Sequence, residues 1–119
     1  MNSIALHFIA GTGQASFDID GWGEHLAGIQ NIGKLSMKEN VSRVDNQQLT
    51  NGRKYVALLR VRRGRVDAFL DGKRLTSYEG DGSNLRMNTL WELPDKRALG
   101  VGAYDSATTF HRIRVRPIP

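Results

Sequence analysis

The sequence contains no cysteine, which excludes a disulfide framework and a thiolate metal site and is compatible with the cytosol and with exported domains alike. No stretch approaches the roughly 20 continuous apolar residues that a membrane-spanning helix needs. The opening MNSIALHF lacks the basic start and long apolar run of a secretory signal, so composition alone leaves the compartment open. Sustained 3.6-residue periodicity, internal repeats and low-complexity linkers are also missing. A nucleophile elbow, a phosphate-binding loop and a dinucleotide fingerprint are absent as well, and Gly11-Thr12-Gly13 reads as a hairpin turn. What is present is 119 residues, 39% of them hydrophobic and 13 of them glycine, enough to fill one core and expected to form one domain. The net charge of +5 favours anionic partners in solution without specifying any.

From Lys54 onward the punctuation is that of hairpins. The runs KYVALLRVR, RVDAFL and KRLTSYE are separated by Arg63-Gly64 and Asp71-Gly72, and Asp-Gly between alternating runs is the strongest short hairpin signal. Tyr55, Ala57, Leu59 and Val61 share one face of the first run, and Val66, Ala68 and Leu70 share one face of the second, the period of two of half-buried strands. The stretch LRMNTLWELPDKR carries Pro94 and is expected to be a loop holding one short helical turn. ALGVGAY and TTFHRIRVRPI, split by Asp105-Ser106, are expected as the last two strands. Earlier in the chain SIALHFIA, QASFDI, Leu26 to Ile29 and Ser42 to Leu49 are predicted strands. Many short strands at regular spacing predict an all-β sandwich or barrel.

The elements Asn51-Gly52-Arg53-Lys54-Tyr55, Val66 to Lys73 and Leu99 to Phe110 give the second half a pattern that resembles the C-terminal part of a concanavalin A-like or laminin G-like jelly roll. The likeness is to the versions found in large modular bacterial proteins, and it extends more distantly to the 3-keto-disaccharide hydrolase domain. It covers Asn51 onward and reaches back weakly to Asp20-Gly21-Trp22. The resemblance implies an antiparallel β-sandwich lacking some N-terminal strands, hence a fragment of a larger protein whose other domains are partners, and an extracytoplasmic or cell-surface setting. Missing strands would leave unpaired edges and favour self-association.

As to function, the resemblance implies a lectin-like module that binds polysaccharide or glycoprotein or serves adhesion to a partner, and with no Glu-x-Asp-x-(x)-Glu cluster in the chain it is expected to be noncatalytic, not an enzyme. Glycosidases need closely placed acid pairs, and the nearest here are Asp18 and Asp20 on one strand face. The rival readings are a glycosidase-like domain with its acids outside this chain, and a structural domain that binds nothing. Sugar rings stack on aromatic side chains while polar neighbours fix their orientation, which singles out Trp22, His25, Tyr104 and Asp105; Trp91 reads better as a core cap beside Pro94. No cofactor is expected unless calcium, which lectin folds hold with loop carboxylates; Asp81, Asp95 and Asp105 are the metal candidates. His7, His25 and His111 lack metal-site spacing. Arg60, Arg62 and Arg65, with Arg112, Arg114 and Arg116 on the last strand, would form one cationic sheet face interrupted by Phe69 and Phe110. Such a face suits an acidic glycan; nucleic acid is the less favoured partner. Asn40-Val41-Ser42 is a formal glycosylation acceptor.

Overall fold

A computed structural model describes residues 3–21, 23–87, 92–95, 98–104 and 107–117. The described residues form ten strands and no helix. Sheet A has the order β10-β1-β2-β3, from β1 (Ser3–Ala10), β2 (Gly13–Gly21), β3 (Leu26–Ile29) and β10 (Gly100–Tyr104). Sheet C is the meander β6 (Ala57–Arg62), β7 (Arg65–Leu70) and β8 (Lys73–Glu79). A small sheet B joins β4 (Asn31–Ile32) to β5 (Leu35–Ser36) and β9 (Leu85–Arg86). All pairings are antiparallel.

Alternation explains the packing. Phe8, Ala15, Phe17, Ile19, Ala27 and Ile29 of sheet A meet Val66, Ala68 and Tyr78 of sheet C, with Leu85 of β9 filling the side, in one buried cluster. Each buried Phe, Ile, Leu or Val side chain among them contributes about 1.5–3 kcal/mol from apolar burial. Sheets A and C therefore form an all-β sandwich around one core. The expected hairpin at Asp71-Gly72 is present, and both residues take positive φ, 51° and 81°, as a tight two-residue turn demands.

Other expectations need correction. The strand expected from Ser42 to Leu49 reduces to a single backbone bridge, Val44 to Ala27. Side chains do the rest of its work: Ser42 Oγ accepts the Ile29 amide at 2.8 Å, and Asn40 Nδ2 donates to the Ile29 carbonyl at 2.9 Å. These bonds seal the outer edge of β3 without a ladder. They also bury Asn40 to 6% exposure, which removes it as a glycosylation acceptor on the folded chain. Strand β6 starts at Ala57 instead of Lys54, because its partner β7 ends at Leu70 and the chain turns at Asp71, whose carboxylate accepts the Val56 amide at 2.8 Å. Around Pro94 no described residue is helical.

The largest departure is at the C-terminal side. Residues 107–117, expected as the final strand, join no sheet and are exposed throughout. The six arginines consequently do not share one sheet face. Arg60 and Arg62 remain on the outer face of β6, Arg65 lies across the hairpin, and Arg112, Arg114 and Arg116 stand apart on the exposed segment.

Candidate functional site

The face of sheet A turned away from sheet C is polar, because QASFDID alternates Ala15, Phe17 and Ile19 inward with Ser16, Asp18 and Asp20 outward. It is nevertheless buried. Met37, fully enclosed, packs against Gly21 and Gly28, where added Cβ atoms would come within 2.8 and 2.9 Å of it. Met37 and its neighbours thus cover the outer face of β2 and β3, and on the other flank Leu93 lies against Gly100 beside His7.

Under this cover Asp18 is 8% exposed, and its two oxygens accept hydrogen bonds from Ser16 Oγ at 2.7 Å and Gln30 Nε2 at 3.2 Å. Burial pushes its carboxyl up to about 6, only partly offset by those two donors. His7, opposite Ser16 on β1, is buried too, and burial lowers its pKa. Ser16, Asp18, His7 and Gln30 form a closed polar layer rather than an open reaction centre.

Asp20 differs. It sits at the bulge between Ile19 and Gly21 with φ of 63°. One oxygen meets His25 Nδ1 at 2.7 Å and the other accepts the Leu49 amide at 3.0 Å. His25 also has positive φ, 59°, and its carbonyl accepts the Gln47 amide at 2.8 Å. The glycine-rich turn after β2 is thereby tied from two sides. The His25 side chain remains 47% exposed while its carboxylate partner is 9% exposed. With Nδ1 engaged by Asp20, Nε2 is the ring nitrogen left to face a ligand.

The antiparallel register brings the other described binding candidate to the same end of the sheet. Tyr104 pairs with Ser3, and the neighbouring pair Ile4 to Ile19 places Asp20 across from Ser3. Tyr104, Ser3 and Asp20 therefore form a row over three strands, about 10 Å from first to last at the usual strand spacing. Tyr104 is 50% exposed at the end of β10. Trp22, Trp91 and Asp105 lie outside the described residues.

The metal candidates do not assemble. Asp81 turns its carboxylate back onto the Ser83 amide at 2.9 Å, a bond that lowers its pKa, and the Asp95 carbonyl accepts the Ala98 amide. Among the described residues no three acidic or histidine side chains are grouped for a cation. Of the arginines, Arg65 pairs with Asp67 at 3.0 Å and Glu79 at 3.1 Å, whereas Arg60 stacks 5.1 Å above the Phe69 ring. Two shallow cavities, about 160 and 210 Å³, lie by the β1–β2 turn at the opposite end of sheet A, both below the ordinary size of a small-molecule pocket, roughly 300 Å³ and up.

Asp20 as the residue that positions His25 was missed by sequence reasoning, which reads it as one of an acid pair or as a solvated or turn-associated carboxylate. The signal was its place just before Gly21-Trp22-Gly23, where a short carboxylate favours a turn. No family model, curated protein or solved structure matches the chain.

Proposed function

We propose that the protein is a noncatalytic, lectin-like module of the concanavalin A/laminin G jelly-roll kind that binds carbohydrate at the end of sheet A carrying His25 and Tyr104. The observation that supports this is the Asp20–His25 pair: a buried carboxylate holds a half-exposed imidazole in fixed orientation. Pre-organised polar groups beside an exposed aromatic ring suit the recognition of a sugar, whose apolar face stacks while its hydroxyls find donors and acceptors. A shallow rim fits better than either cavity, since the exposed end of a saccharide chain needs a platform, not an enclosure. The acid pair speaks against turnover, because Asp18 is enclosed with both oxygens engaged and Asp20 is committed to His25 and Leu49.

The test is a glycan array probed with the protein and with His25→Ala and Tyr104→Ala. Selective binding is expected, with each variant at least about ten-fold weaker, the loss of one good polar or stacking contact. Bound glycan should be recovered unchanged after prolonged incubation. A blank array, or binding untouched by both substitutions, would reject this site.

A further inference from the structure

Sheet C ends on β6, whose outer edge is hydrogen-bonded to no other described strand. The direction of its backbone groups follows from the ladder. Val56 and Asp71 exchange bonds toward β7, the Asp71 amide reaching the Val56 carbonyl at 2.8 Å. By the two-residue period, Leu58, Arg60 and Arg62 also point to β7, whereas Ala57, Leu59 and Val61 point their N–H and C=O groups to the open side. The same flank is thinly covered. β6 comes up against β1, and on the inner face of β1 and β10 the residues Ile4, Leu6, Val101 and Ala103 stay half-buried, while Phe17, Ile19 and Ile29 are at 1% exposure. Among the described residues no strand pairs with β6 on this side.

The exposed segment 107–117 has the opposite deficiency. From His111 to Arg116 it alternates Arg112, Arg114 and Arg116 with Ile113 and Val115, which are 64% and 69% exposed. This is a strand pattern with no sheet to join.

We propose that this segment of one copy adds as the fourth strand of sheet C along β6 of a second copy, in a reciprocal two-fold exchange. Ile113 and Val115 then cover the open flank of the partner's core, and the arginines stay outward. Chain direction selects a second copy over the segment's own β6. The Arg62–Arg65 turn lies against Ala10 and Gly11, so β6 runs the same way as β1. The chain leaves β10 at the Ser3 end of β1, so a direct return along its own β6 would run parallel to that strand. A second copy permits the antiparallel ladder, which is the more stable per residue, and reciprocity closes the assembly at two copies, because each β6 edge and each segment is then used.

The test is light scattering after size exclusion over a concentration series. The wild-type protein is expected to reach twice the monomer mass. Two variants should remain monomeric: Ala57→Pro, which removes one outward N–H where proline is tolerated on an edge, and Ile113→Asp/Val115→Asp, which alters residues already in solvent. Mixed together they should associate one to one, since one supplies the intact segment and the other the intact edge. Dimers of the aspartate variant alone would point to edge-to-edge pairing and overturn the proposal, as would dimers of Ala57→Pro alone or a wild type monomeric at every concentration. Hydrogen exchange, which needs no variant, should slow at Ala57, Leu59 and Val61 as concentration rises; unchanged exchange there counts against it.

Discussion

Asp18→Asn is expected to stabilise the protein by about 3 kcal/mol at pH 7.5, the free energy of a carboxyl held near 6 in the fold against 3.8 in the open chain. A raised carboxyl pKa means that the folded state binds the proton more tightly than the unfolded one. The penalty is absent below pH 3.8, grows as pH rises toward 6, and is complete above it, so stability is lost as pH rises through that window. The asparagine keeps the volume and removes the buried charge, and the Ser16 hydroxyl can turn to accept from the new amide. Urea denaturation of both proteins at pH 7.5 and pH 4 checks this: the gap should be large at the first and close at the second. His7 acts in the other direction, since its lowered pKa costs stability as pH falls below 6.5, but it is common to both proteins and cancels in the difference. A variant no more stable than wild type at pH 7.5 would mean that Asp18 is solvated or otherwise compensated.

Gly82→Ala is expected to destabilise by on the order of 3 kcal/mol, combining a left-handed backbone with a steric collision. Gly82 has φ of 83°, and a Cβ there would run into the carbonyl of Ala10. The turn after β8 packs backbone to backbone on the end of β1, so neither side can yield without moving a strand. Gly64→Ala is the control. Its φ of 79° is equally unfavourable, but nothing lies within 4 Å of the added methyl. It should cost about 1 kcal/mol, the conformational part alone. Thermal unfolding of the pair separates strain from collision, and equal losses would refute the close approach of the two turns.

The meander of sheet C was legible because Ala57, Leu59, Val61, Val66 and Ala68 alternate cleanly and Asp71-Gly72 marks its turn. Strands β1 and β2 were legible for the same reason. The segment after Ser42 was misread because its Val44-centred polar tract resembles an edge strand, while the stabilising bonds come from Asn40 and Ser42 side chains that periodicity does not encode. The final segment carries a genuine strand pattern; what sequence could not supply is whether the chain itself offers a partner in the favoured direction. At the site, His25 and Tyr104 were visible as exposed candidates. Their common location depends on the register between β1, β2 and β10, and Asp20's grip on His25 depends on a bulge. Local sequence reports neither.

The most direct measurement of the central claim is amide chemical-shift mapping during titration with the strongest glycan from the array. Binding at the proposed rim predicts perturbations concentrated at Gly21, Gly23, His25, Leu49 and Tyr104, with the arginine-rich face of sheet C silent. Perturbations centred on Arg60, Arg62 or residues 107–117, or none at saturating ligand, would contradict it.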